Sequence, residues 1–162
     1  MIRASVVVVN YNGGEGAAKN VGALSRVASE AGAVFVERFD KLRGVDDARG
    51  LVQSVKTGKS LAFFPEGTFT RMPGLLPFHM GAFVAAAGAG VPVVPVTIRG
   101  TRSLLRGDSR FPRRGMVRIS VSPSIPPTGT DWEAAVRLRE AARAAILQHL
   151  GEPDLDRAPS LP

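Results

Sequence analysis

Glu66, Thr68 and Arg71 lie close together in FFPEGTFTR, the stretch from Phe63 to Arg71. A guanidinium pairs with a phosphate through two parallel hydrogen bonds. A carboxylate accepts from a hydroxyl or holds an arginine in place. Phe63 and Phe64 are core-forming residues at the end of an apolar run. Pro65 stops that run from pairing further, and Gly67 permits a tight bend. The polar trio therefore falls at the end of a strand, where α/β sheets tend to place ligands. By spacing alone, the same residues also describe a strand that stops at a proline turn with a surface ion pair.

The surrounding elements must supply that strand and its neighbours. The chain has 162 residues, the size of one domain, and 44% of them are hydrophobic, enough for a core. Ser5 to Val9 is a β-branched run that ends in NYNGG, a strand followed by a turn. Val21, Leu24, Ala28 and Ala31 recur at helical spacing, and Gly32 stands where that helix would be capped. Val34 to Val36 predicts a short strand. Val45, Ala48, Leu51, Val52 and Val55 predict a helix stopped at Gly58. Ser60 to Phe64, Val91 to Ile98 and Met116 to Val121 predict strands, and Gly81 to Ala87 a helix. Thr130 and Glu133 match a capping box, followed at roughly helical spacing by Trp132, Val136, Ala142, Ile146 and Leu150. Strands alternating with helices predict an α/β layered domain. The residues after Gly151, EPDLDRAPSLP, are polar and proline-rich and predict a loose tail.

The motif and its flanks resemble the glycerolipid acyltransferase family, the lysophosphatidate and lysophospholipid acyltransferases. FFPEGTFTR followed by GLLPFHMGAF is similar to the family's glycerol-phosphate motif. GAVFVERFD, from Gly32 to Asp40, resembles an upstream block whose arginine, here Arg38, is implicated in binding the acceptor phosphate. VPVVPVTIRGT, from Val91 to Thr101, resembles a downstream apolar block with a central proline, here Pro95. The resemblance covers residues 17–150; residues 1–16 do not share it, and 151–162 form the tail. It implies a mixed central β-sheet flanked by helices. It also implies a substrate site of Arg38, Glu66, Gly67, Thr68 and Arg71. The acceptor would be lysophosphatidate or a lysophospholipid, and the acyl donor acyl-CoA or acyl carrier protein. No bound cofactor and no metal are implied.

In that family a histidine of an H-x4-D motif, ahead of all these blocks, removes the proton of the acceptor hydroxyl. A hydroxyl is a poor nucleophile until a base within hydrogen-bond reach takes its proton. No histidine precedes Phe63; the chain's two are His79 and His149. His79 lies downstream of the motif and reads as a loop or core residue. His149 does spell H-x4-D with Asp154, but it follows the other blocks instead of leading them. Neither is assigned as the base, which predicts impaired or absent turnover by this chain alone and a front end lost from the domain. SVVVVNYNGGEG, in the place of the base motif, resembles the opening strand and turn of family 2 glycosyltransferases, which bind a nucleotide-sugar. No acidic metal-binding motif of that family follows, and an apolar strand with an Asn/Gly turn is common.

The formal net charge is +7, which favours anionic partners. Arg99, Arg102, Arg106, Arg110, Arg113 and Arg114 cluster near Leu104, Leu105 and Phe111. Such a segment suits an anionic membrane surface, an acidic carrier or the phosphates of coenzyme A. Aromatic residues make up only 6%, and no nucleic-acid-binding signature is present, so nucleic acid is not expected. The absence of cysteine excludes disulfides and thiolate metal sites. Met72 to Ile98 is uncharged, but prolines and glycines divide it into loop, helix, turn and strand. The expected location is the cytoplasmic face of a membrane, with peripheral attachment. Three functions remain open: an acyltransferase domain, a non-catalytic module binding anionic lipid or phosphate, and a nucleotide-sugar-binding fragment.

Overall fold

A computed structural model describes residues 6–11, 33–36, 45–67, 72–104 and 113–156. The expected helix over Ala17–Ala31 lies outside them, as do Arg38, Thr68, Arg71, Leu105, Arg106, Arg110 and Phe111. Five strands form one sheet: β1 (Val6–Tyr11), β2 (Ala33–Val36), β3 (Ser60–Phe63), β4 (Val93–Arg99) and β5 (Arg118–Val121). Their order is β2-β3-β1-β4-β5. The first four are mutually parallel, and β5 runs antiparallel to β4 at the edge. This is the mixed sheet with flanking helices that the family resemblance implies, built on the alternation of strands and helices read from the sequence.

The valines of β1 occupy the middle of the sheet. Val6, Val7 and Val8 pair with Leu61, Ala62 and Phe63 on one side, and with Val93, Val94 and Pro95 on the other. A run of β-branched residues without polar alternation suits a strand with neighbours on both sides. The segment that lacks the family resemblance is thus an integral strand of the same sheet. The register brings the carboxyl ends of β1, β3 and β4 to one edge, where the Phe64–Gly67 turn begins.

Pro95 sits inside β4, where a missing N–H should break a ladder. The break falls on the β5 side. Ser122 N–H donates to the Pro95 carbonyl at 2.9 Å, and Val93 and Ile125 exchange both of their backbone bonds further along. Between the Val96–Val121 pair and the Val93–Ile125 bridge, three residues (Ser122 to Ser124) face two (Val94 and Pro95). That is a β-bulge, the arrangement that tolerates a proline within a paired strand.

Helix α1 (Val45–Lys56) and helix α2 (Gly81–Ala89) pack against each other. Gly88 lies where an added Cβ would come 3.2 Å from a Val52 methyl, so the small residues of α2 let the two helices close up. A short turn, α3 (Thr101–Leu104), follows β4, and helix α4 (Trp132–Leu150) crosses the sheet beside α2. Leu61, Phe63, Phe83, Val93, Leu138, Ile146 and Leu150 are fully buried between them. Burying each large aliphatic or aromatic side chain contributes about 1.5–3 kcal/mol.

Two details of α4 differ from expectation. Its cap is Asp131, not Thr130: the Asp131 carboxylate accepts from Ala134 N–H at 2.7 Å with an extended backbone. Trp132, placed by spacing on the apolar face, is 61% exposed at the first position of the helix. The buried stripe is Ala134, Ala135, Leu138, Ala142, Arg143, Ile146 and Leu150, which includes an arginine.

Candidate functional site

The site starts at the end of β3. Gly67 N–H donates to the Phe64 carbonyl at 3.2 Å, closing the turn through Pro65 and Glu66. Gly67 has a φ of +65°, a conformation that costs other residues about 1 kcal/mol or more. The His79 imidazole lies directly over it: an added Cβ would stand 2.7 Å from His79 Cδ2 and 2.8 Å from Nε2. Gly67→Ala is therefore expected to destabilise by about 2 kcal/mol, adding backbone strain and a steric clash. In urea unfolding, His79→Ala should relieve part of that cost in the double variant, since the two residues touch.

The segment Met72–Met80 folds back over the turn. His79 N–H donates to the Pro65 carbonyl at 2.8 Å. One Glu66 carboxylate oxygen accepts from Leu76 N–H at 2.9 Å. Glu66 thus uses an oxygen to position the returning loop. Glu66 and Gly67 are brought together with His79; the remaining members of the expected site, Arg38, Thr68 and Arg71, lie outside the described residues.

The other side of the loop is fastened by residues that sequence reasoning did not select. Arg143, on the buried stripe of α4, is 3% exposed. Its guanidinium donates to the carbonyls of Leu76 at 2.6 Å and Leu75 at 2.9 Å, and it also bonds Asp154. Asp156 lies 3.7 Å from its Nε, and the Phe78 ring lies 4.9 Å beneath its charge. A buried arginine is tolerable only with this degree of pairing and hydrogen bonding. The sequence does hold one signal for it. Arg143 falls beside Ala142 on the stripe otherwise set by Leu138 and Ile146, where a charge is out of place.

Residues 151–156 are correspondingly not loose. Gly74 N–H donates to a Glu152 carboxylate oxygen at 2.7 Å, Leu75 N–H to the Pro153 carbonyl at 2.8 Å, and Leu155 N–H to the Leu75 carbonyl at 3.0 Å. The expectation of a loose tail fails over this stretch because its acidic and backbone groups complete the site loop. Residues 157–162 lie outside the described ones. Asp154 serves Arg143, while His149 is exposed on the last turn of α4 and its carbonyl accepts from Arg99 at 3.2 Å. Among the described residues no group of three or more His, Asp or Glu side chains is gathered as a metal site. The arrangement is a hydrogen-bonded turn and loop carrying a carboxylate and an exposed imidazole at the carboxyl edge of the parallel strands.

Comparison with known proteins gives a consistent result. The family model described as Acyltransferase matches residues 14–99, which include β2, β3, α1, α2 and β4. The 1-acyl-sn-glycerol-3-phosphate acyltransferase BAT2 of Brassica napus chloroplasts is 40% identical over 98 residues, 60% of this chain and 28% of that protein. The 1-acyl-sn-glycerol-3-phosphate acyltransferase of Salmonella typhimurium is 30% identical over 128 residues, 78% of this chain and 51% of that protein. The chain thus spans about half or less of the length of these relatives. The crystal structure of the 1-acyl-sn-glycerophosphate (LPA) acyltransferase PlsC from Thermotoga maritima aligns with a TM-score of 0.64 at 24% identity. It covers 93% of this chain and 66% of the other, and shows the shared fold.

Proposed function

This chain belongs to the Acyltransferase family, and we propose that it serves transfer of a fatty acyl group from a thioester to the free hydroxyl of lysophosphatidate or a lysophospholipid. The product would feed phospholipid synthesis. The observation that supports this most is the Glu66–Gly67 turn, within the matched block, closed at the sheet edge by the Glu66 bond to Leu76 and by His79 over Gly67. The names of the relatives supply the acceptor class. In this reading Arg38, Thr68 and Arg71 join Glu66 and Gly67 around the acceptor's phosphate, acyl-CoA or acyl carrier protein is the donor, and the work is done at the cytoplasmic face of a membrane.

The acceptor oxygen attacks the thioester carbonyl, loses its proton to a base, and the thiol departs. Neither His79 nor His149 is assigned as that base. Without one, turnover by this chain alone falls by about two to four orders of magnitude relative to an enzyme that has it. The same sequence observation favours a second reading, a module that binds the phosphate head of a lysolipid without acylating it.

Incubation of the purified chain with acyl-CoA and lysophosphatidate, read by thiol release and diacyl product, tests both. The expected result is saturable lysophosphatidate binding with slow product formation that His149→Ala leaves unchanged. Binding with no product at any enzyme concentration would establish the module instead. Failure to bind lysophosphatidate, or saturable binding of a nucleotide-sugar in its place, would sink both.

A further inference from the structure

The free edge of the sheet carries an apolar row that nothing among the described residues covers. Ile119 and Val121 pair with Ile98 and Val96 and so share their face of the sheet. Ile98 is buried, but Ile119 is 62% and Val121 67% exposed. Val117 precedes them on the same alternation at 42%, and Met116 beside it is 75% exposed. An exposed edge strand with large aliphatic residues is a docking surface or an aggregation liability.

Its charge identifies the occupant. From Ser109 to Thr130 the chain has no acidic residue and four arginines. Three of these, Arg113, Arg114 and Arg118, are exposed, and among the described residues no ion pair or side-chain hydrogen bond holds them. The other described arginines of this region are committed elsewhere: Arg99 to the carbonyl of His149, and Arg102 to Glu152 at 3.8 Å. Arg118 alternates to the opposite face from Ile119, and at an edge strand a side chain of its length can carry its charge around to the apolar face. Aliphatic side chains flanked by unpaired arginines match the two layers of an anionic bilayer, acyl chains below and phosphates above.

Position supports the same partner. β5 is antiparallel, so its first residue, Arg118, pairs with Arg99 at the carboxyl end of β4. The Met116–Val117 backbone packs against Gly100, where an added Cβ would stand 2.1 Å from the Met116 oxygen. The basic end of the strip therefore lies at the sheet edge that also carries the Glu66–Gly67 turn.

We infer that β5 and residues 113–117 are the surface by which this chain docks on an anionic lipid bilayer, with its acceptor site facing the same side. The inference builds on the lipid-acceptor reading above. Sedimentation of the full chain with phosphatidylcholine vesicles, with and without phosphatidylglycerol, tests it. Binding is expected only with the anionic lipid and should weaken as salt rises. Each arginine near such a surface is worth roughly a fivefold change in affinity, so Arg113→Gln, Arg114→Gln and Arg118→Gln together should weaken binding about a hundredfold. Ile119→Ser with Val121→Ser should weaken it about tenfold through the lost apolar contact. These positions are exposed, and a thermal melt confirms that the variants fold. Equal binding to neutral vesicles, or unchanged binding by both variants, would overturn the inference. So would a dimer in solution that Ile119→Ser dissociates, since a second copy would then cover the strand. Binding of lysophosphatidate below its micelle concentration tests the acceptor site separately, so failure of one reading leaves the other measurable.

Discussion

Arg143→Met is expected to lower the unfolding free energy by about 3 kcal/mol, the low end of the range for breaking a buried ion pair. The low end applies because the side chain of Asp154 is 20% exposed and that of Asp156 35%, so water compensates part of the loss. Methionine fills similar space, so the cost arises from two carbonyls and the Asp154 carboxylate losing a donor and from Asp156 losing a nearby positive charge. For a chain of this size the melting temperature should fall by about 6–12 °C. A more specific readout is amide exchange at Gly74, Leu75 and Leu76, which the network around Arg143 shields. Their exchange should quicken more than that of the β1 amides. Arg143→Lys should recover only part of the loss, because one ammonium cannot reproduce the planar fork that meets Leu75, Leu76 and Asp154 together. Unchanged melting and exchange in Arg143→Met would show that the network contributes nothing to holding the loop.

Glu66→Ala should reduce acyl transfer, or lysophosphatidate affinity if turnover is too slow to measure, by about a hundredfold. The reason lies in the 2.9 Å bond to Leu76 N–H. Without it a half-buried amide loses its acceptor, and the loop that covers the turn shifts. Glu66→Gln keeps a carbonyl oxygen at the same reach and should retain activity within about tenfold of the parent. Kinetics on the two variants in parallel make the comparison. Equal losses would mean that the negative charge of Glu66, not its hold on Leu76, is what the site needs.

These two residues differ in how far the sequence exposed them. Glu66 and Gly67 stand in a compact motif at the end of an apolar run, and each role follows from neighbours a few positions away. Arg143 works on residues 67 and 68 positions earlier in the chain. Asp154 reads in sequence as the end of a spurious H-x4-D or as part of a loose tail, and its partner on α4 becomes visible only when that helix is packed. Trp132 illustrates the same limit in reverse. Helical spacing puts it in line with Ala142 and Ile146, but in the first turn Ala134 and Ala135 take the buried side and Trp132 faces solvent.

The sequence alone determined the β-branched and apolar runs of β1, β3 and β4, the helical repeats of α1 and α4, the existence of α2, and the turn that places Glu66 and Gly67 at a strand's end. Those features are local: side-chain period, backbone freedom and ring constraint act within a few residues. Tertiary structure alone decided that β1 lies at the centre of the sheet and that a bulge opposite Pro95 absorbs its missing N–H. It also decided that Arg143 and residues 151–156 clasp the site loop. Each of these depends on which distant backbone groups remain unsatisfied after packing, and hydrogen bonds of that range leave no period in the chain.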